Sequence, residues 1–152
     1  MGHTTGGAVP SDALVLFGVT GDLAHKMIFP ALYAMAKRGD LTDPVVGVAA
    51  PQWSLPQLRE RATDGIRNAG RIDDARALRP LLSLLRYVDG DYNDPRTFTE
   101  LKQALGDARR PAHYLAILPA LFATVISGLG AAGLADHARV IVYAFAVWSL
   151  AT

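Results

Sequence analysis

Residues 14 to 32 read LVLFGVTGDLAHKMIFPAL: four apolar residues, a turn bracketed by glycines, then a stretch with helical periodicity. A short, wholly apolar run fits a central parallel strand covered on both faces. A strand that passes through a tight turn straight into a helix fits a βαβ unit. Gly18, Thr20, Gly21 and Ala24 form the pattern Gly-x-Thr-Gly-x-x-Ala, a variant of the dinucleotide fingerprint. Gly18 permits a tight exit from the strand, and Gly21 lets backbone N–H groups approach a pyrophosphate with no Cβ in the way. The small Ala24 lets the helix pack close to the sheet, and the Thr20 hydroxyl can donate to a phosphate oxygen. The positive end of the helix adds about 0.3–1 kcal/mol of attraction for the anion. Asp22 would repel a phosphate and is expected instead to cap the helix by accepting backbone N–H bonds. Many strand-to-helix turns need glycine for positive φ alone, so the pattern gains its weight from following the first strand of a series.

That series runs along the chain. Ala13–Phe17, Val45–Ala49, Leu85–Val88, Ala112–Ile117 and Arg139–Val142 read as strands. Between them lie helical patterns at Asp22–Arg38, Pro56–Asn68, Asp73–Leu82, a stretch opened by Asp94 and Pro95 and closed by Gly106, and Ala120–Ala132. Ser54 and Gln57 have the spacing of a capping box, and Pro30 should kink the first helix. Strands alternating with helices give a doubly wound α/β fold with a parallel sheet, Rossmann-like.

A chain of 152 residues is one domain by length. With 51% hydrophobic and 19% charged residues it reads as globular, and a net charge of +1 with scattered cations argues against nucleic acid and anionic membrane surfaces as partners. There is no cysteine, hence no disulfide and no thiolate metal site. Residues 1–12 are expected to be a disordered lead-in without signal-peptide character. The uncharged run Val140–Thr152 is shorter than the roughly 20 residues a membrane-spanning helix needs. A cytoplasmic protein is expected.

The stretch GVTGDLAHKMIFPALYAMAKRG, with RYVDGDYNDPRTFTELKQAL and HYLAILPALF further on, resembles the coenzyme domain of glucose-6-phosphate dehydrogenase. The resemblance spans about Leu14 to Val142, with its motifs in the right order. It implies oxidation of glucose 6-phosphate at C1 in the pentose phosphate pathway, with hydride passed to NADP, or in some members to NAD. It further implies a phosphate-binding turn made of Gly18, Val19, Thr20, Gly21, Asp22 and Leu23, an adenine side lined by Asp91 and Tyr92, and Ala116 and Ile117 nearest the nicotinamide. From spacing alone, Tyr92 reads as a half-buried aromatic at a strand end.

The sequence departs from that family pattern at three places. Ala50 stands where the family usually carries the Arg or Lys that holds the NADP 2′-phosphate. Such a charge-assisted contact is worth about 1.5–3 kcal/mol, so NAD remains open as coenzyme unless a nearby cation substitutes. Leu118 replaces the first proline of the usual Pro-Pro pair. After Val142 the Glu-Lys-Pro-Phe-Gly continuation gives way to YAFAVWSLAT. The sheet is therefore expected to be incomplete, with the second, substrate domain missing and residues 143–152 an atypical apolar tail from a shifted reading frame or premature end. The histidine that serves the family as general base, in an Ile-Asp-His-Tyr-Leu-Gly motif, is absent. His113-Tyr114-Leu115 does not replace it, because His113 sits at a strand entrance, and His25 reads as a surface histidine.

No catalytic residue and no metal ligand is therefore assigned, and coenzyme binding without turnover is expected. The family forms homo-oligomers largely through the region this stretch lacks. A non-catalytic nucleotide-binding or interaction module is the alternative. A short-chain-type reductase, whose acid/base chemistry needs a Tyr-x-x-x-Lys pair, is set aside for want of that pair.

Overall fold

The computed structural model describes residues 10–142. The tail at 143–152 and most of the 1–12 lead-in lie outside them. Asp12, at the end of that lead-in, is firmly tied: its N–H donates to the Arg110 carbonyl at 3.1 Å, and its carboxylate accepts the N–H groups of Arg109 and Arg110, each at 2.7 Å.

Five parallel strands form one sheet in the order β3-β2-β1-β4-β5. They are β1 (Ala13–Phe17), β2 (Val45–Ala49), β3 (Leu85–Asp89), β4 (Pro111–Leu115) and β5 (Arg139–Val142). β1 and β2 hold Val, Leu, Phe and Ala, with Gly47 in β2, and no exposed residue, as strands buried on both faces require. β4 ends two residues earlier than its apolar run suggests, which leaves Ala116 and Ile117 in the loop beyond it. Pro111 opens this strand, a position where its missing N–H costs little. Among the described residues β3 and β5 are the edges of the sheet, and all four residues of β5 are exposed.

The helices are α1 (Phe29–Lys37), α2 (Leu55–Ala69), α3 (Ala75–Leu84), α4 (Pro95–Leu105) and α5 (Phe122–Ala131). Two separate cores record the double winding. Leu16, Val45 and Leu85 pack with α1, α2 and α3 on one face of the sheet; Val15, Phe17, Val46, Val48 and Val88 pack with α4 and α5 on the other. The local signals explain the helix limits. Ser54 and Gln57 make the reciprocal capping box, with Gln57 N donating to Ser54 Oγ at 3.3 Å and Ser54 N to Gln57 Oε1 at 2.7 Å. Asp94 caps α4, Pro95 occupies its first turn and Gly106 follows its end.

The kink expected at Pro30 takes a particular form. A π-helical turn, Ala24–Ile28, precedes α1, and Phe29 N donates to the Ala24 carbonyl five residues back. Proline has no N–H for a bond to residue 26, and its ring crowds that carbonyl. The wider turn ahead of Pro30 relieves both problems.

Candidate functional site

The strand order reverses between β1, whose following helices cover one face, and β4, whose following helix covers the other. In open α/β sheets the crevice beyond the strand ends at such a switch point is where ligands bind. The glycine turn lies there. Gly18 is demanded by the fold itself: its φ is +81°, and a Cβ on it would stand 2.1 Å from the Ala116 carbonyl oxygen. This glycine is how the exits of β1 and β4 come together.

Gly21 differs. It has no positive φ, and a Cβ there would meet one atom within 4 Å, the Gly18 carbonyl oxygen at 3.3 Å. Backbone conformation does not demand glycine at this position, and the one close neighbour of an added Cβ is that single oxygen, in a tight contact. What its bareness does provide is open access to the turn. The N–H groups of Gly18 and Val19 donate to the Val48 carbonyl of β2 and that of Gly21 to the Gly18 carbonyl within the turn, while those of Thr20 and Asp22 take no part in these bonds. Val19 contributes backbone alone, since its side chain is buried against Gly47 of β2. Ala24 is fully buried, and Gly65 of α2 approaches the His25 carbonyl so closely that a Cβ would sit 2.2 Å from it.

The predicted residues separate into groups. Asp22, Leu23, Ala116 and Ile117 line one groove of about 460 Å³ together with Lys26, Met27, Leu118 and Phe122. Its walls are mostly apolar, with Asp22 and Lys26 as its charges. Leu118 and Met27 are 72% and 54% exposed beside it. Ala50 follows β2 directly and is exposed. Asp91 is also exposed, and its carboxylate accepts from Asn93 N at 2.8 Å and Asn93 Nδ2 at 3.1 Å, in a local turn. Tyr92 runs beneath the turn: its hydroxyl accepts from Gly18 N at 3.0 Å and donates to the Val48 carbonyl at 3.2 Å. Its ring meets Phe17 edge-on at 5.8 Å. Burial pushes the Tyr92 phenol above its ordinary value, against the pull of the Gly18 hydrogen bond.

Three expectations need correction. Asp22 does not cap the helix; the opening turn has no side-chain cap, and the carboxylate is exposed 3.6 Å from Arg61 Nη2. His25 is not a surface residue. It is buried, and its Nε2 lies 2.7 Å from Asp64 Oδ2 on α2. A Tyr-x-x-x-Lys pair does occur, at Tyr33 and Lys37. Both side chains are engaged by Asp73 before α3, at 3.0 Å for the Tyr33 hydroxyl and 3.2 Å for Lys37 Nζ, and neither lines the groove at the β4 exit. The pair locks α1 to the start of α3.

Arg61 and His113 carry contacts that the sequence did not disclose. Arg61, on α2, places Nη2 3.4 Å from the Thr20 carbonyl oxygen, and its Nε is buried without a partner. His113, in β4, is fully buried; its Nε2 lies 3.0 Å from the Leu134 carbonyl, its Nδ1 has no partner, and desolvation holds its pKa below the ordinary 6.5. Among the described residues no group of histidines and carboxylates could hold a metal ion, and no helix is long and apolar enough to cross a membrane.

A parallel sheet wound on both faces, with a glycine turn at its switch point, defines the class: a Rossmann-like α/β domain. Residues 15–143 match the family model described as glucose-6-phosphate dehydrogenase, NAD binding domain. The chain belongs to that family. It is 42% identical over 137 residues to glucose-6-phosphate 1-dehydrogenase 1 of Mycobacterium tuberculosis, covering 90% of this chain and 29% of the relative. The enzyme of Zymomonas mobilis is 36% identical over 129 residues, covering 80% and 26%. Among solved structures, glucose-6-phosphate 1-dehydrogenase from Mycobacterium avium superposes with a TM-score of 0.83 at 42% identity, over 88% of this chain and 29% of that one. A glucose-6-phosphate dehydrogenase in complex with its substrate gives 0.75 at 26% identity, over 87% and 30%. The chain thus spans less than a third of the length of these relatives.

Proposed function

We propose that this chain is the coenzyme-binding portion of a glucose-6-phosphate dehydrogenase, that its coenzyme is NADP, and that on its own it binds without turnover. The observation that carries the reading is Gly21, a glycine that the backbone conformation does not require and whose missing side chain leaves the turn open apart from one tight neighbour, the Gly18 carbonyl oxygen. A pyrophosphate drawn against the turn uses that bareness, the N–H groups of Thr20 and Asp22, and the positive end of the following helix. The residues present therefore fit a dinucleotide.

When bound, the coenzyme supplies a hydride acceptor at C4 of its nicotinamide. The chain's own residues position and shelter that ring. Leu23, Met27, Ile117 and Phe122 form an apolar wall at the exit of β4, which lowers the local dielectric and keeps water from the reacting face. Gly18 keeps this wall in register with the phosphate turn, because a Cβ there would collide with the Ala116 carbonyl at the exit of β4. The acid/base step falls to no residue in view. The buried histidines are both committed, His25 to Asp64 and His113 to the Leu134 carbonyl. In this reading the sugar phosphate and the proton acceptor belong to the remainder of the enzyme, and the cytoplasm is the compartment.

Titration of the purified chain with NADP, NAD and an unrelated nucleotide such as GTP tests the proposal. Selective binding of the dinucleotides supports it, and no binding at millimolar concentration overturns it. Formation of NADPH from glucose 6-phosphate by the chain, purified free of host enzyme, would refute the absence of turnover.

A further inference from the structure

We propose that Arg61 is the residue through which this chain recognises the adenosine 2′-phosphate that separates NADP from NAD. The proposal rests on the dinucleotide reading above and adds the residue that decides between the two coenzymes.

In a sheet of this kind the adenosine ribose lies near the end of the second strand. A carboxylate there hydrogen-bonds the 2′-hydroxyl of NAD, or an arginine nearby accepts the 2′-phosphate of NADP. The residues that follow β2 here are Ala50, Pro51, Gln52 and Trp53. They include no carboxylate to hold a ribose hydroxyl and no cation to hold a phosphate. The cation arrives from another element. Arg61, in the second turn of α2, brings its guanidinium against the glycine turn from the side.

That guanidinium is poorly used by the protein. It has five N–H donors in a rigid fork. One nitrogen, Nη2, makes two long contacts, 3.4 Å to the Thr20 carbonyl and 3.6 Å to Asp22 Oδ1, and the buried Nε makes none. The side chain is 29% exposed, enough to meet a ligand yet sheltered from full screening by solvent. Asp22 opposes an approaching phosphate, but its side chain is 82% exposed and can turn to solvent.

The surroundings suit the adenosine end of a dinucleotide. Arg61, Trp53, Gln57 and Arg67 border one depression of about 630 Å³, with Glu60 and Asp64 as its acids. Asp64 is already engaged by His25 at 2.7 Å. Arg61 and Arg67 therefore face one unengaged carboxylate within the depression, Glu60, besides the Asp22 that Arg61 meets at 3.6 Å, and Trp53 gives the depression an aromatic wall. A phosphate with two negative charges is the ligand such a fork holds best.

The full chain, as wild type, Arg61→Gln and Arg61→Lys, is titrated with NADP, NAD, adenosine 2′,5′-bisphosphate and AMP, with circular dichroism as a check on folding. The wild type should prefer NADP over NAD by about tenfold or more, the worth of a charge-assisted hydrogen bond. Arg61→Gln should weaken NADP and adenosine 2′,5′-bisphosphate by a similar factor and leave NAD and AMP within about twofold. Arg61→Lys should fall between, since it keeps the charge and loses the fork. Equal losses for both coenzymes would reduce Arg61 to a strut for the turn and overturn the assignment, as would no loss at all. Equal affinity of the wild type for NADP and NAD overturns it without any variant. A wild type that binds neither coenzyme sinks the dinucleotide reading itself, which is a different result.

Discussion

The Tyr92 hydroxyl lies 3.0 Å from the main-chain nitrogen of Gly18, a contact spanning 74 residues of sequence. It ties the loop after β3 to the exit of β1 beneath the candidate phosphate turn, and the same oxygen donates to the Val48 carbonyl at 3.2 Å. Tyr92 reaches the turn from below.

Tyr92→Phe tests that role. The ring and its edge-on contact with Phe17 remain, and Gly18 N keeps its other acceptor, the Val48 carbonyl at 2.9 Å. The cost should therefore be about 0.5–1.5 kcal/mol in urea denaturation. Coenzyme affinity should fall by a few-fold for NADP and NAD alike, because the turn loosens as a unit. A loss confined to one coenzyme would show that Tyr92 touches the ligand.

The two glycines of the turn should respond to alanine in opposite ways. Gly18→Ala puts a methyl 2.1 Å from the Ala116 carbonyl at a φ of +81°, so both backbone strain and a clash oppose it. A loss above about 3 kcal/mol is expected, seen as a collapsed thermal transition or an insoluble product. Gly21→Ala meets one atom at 3.3 Å with no strain of φ. Its stability should stay within about 1 kcal/mol of wild type. Its coenzyme affinity should fall at least about tenfold, because a Cβ now stands where the pyrophosphate approaches. Unchanged affinity in a folded Gly21→Ala protein would remove the main support for a phosphate at this turn.

His113 sets a pH dependence. Its folded pKa is depressed by desolvation, opposed by the Leu134 hydrogen bond, so the folded state favours neutral imidazole and the unfolded state binds the proton more readily. Stability from this group is complete above the unfolded value of about 6.5 and is lost as pH falls toward the folded pKa. Thermal midpoints measured from pH 8 to 5 should decline below about pH 6.5, and His113→Gln should flatten that decline. The carboxylates with depressed pKa, Asp12, Asp73 and Asp94, act in a separate window. Their stabilisation is present above the ordinary 3.8 and lost below it.

Which features were legible in the sequence follows from which forces are local. β1 and β2 announce themselves because a strand buried on both faces must be apolar throughout. The limits of α4 could be read because Asp94, Pro95 and Gly106 act on their immediate neighbours. The glycine turn was legible for the same reason. The contacts that give the turn its electrostatics were not. Arg61 reaches Thr20 across 41 residues, His25 reaches Asp64 across 39, and Tyr92 reaches Gly18 across 74. Each depends on how α2 or the β3 loop docks on the sheet, and no local pattern records that. Asp22 misled for a related reason: its type suits a cap, but a cation from α2 lies beside it.

Ala50 and Arg61 lead to the last prediction. If Arg61 supplies the charge that the segment after β2 lacks, restoring a cation after β2 should make it dispensable. Ala50 is exposed, so Ala50→Arg should leave the fold within about 0.5 kcal/mol of wild type. In the Arg61→Gln background it should recover about tenfold or more of NADP affinity, the contribution of a charge-assisted contact, and leave NAD nearly unchanged. In the wild-type background the gain should be smaller, because two cations serving one phosphate are not additive. Equal gains in the two backgrounds would mean that the sites act independently, and that Arg61 is not the cation standing in for the one missing after β2. Titration of the four proteins with both coenzymes gives the cycle directly.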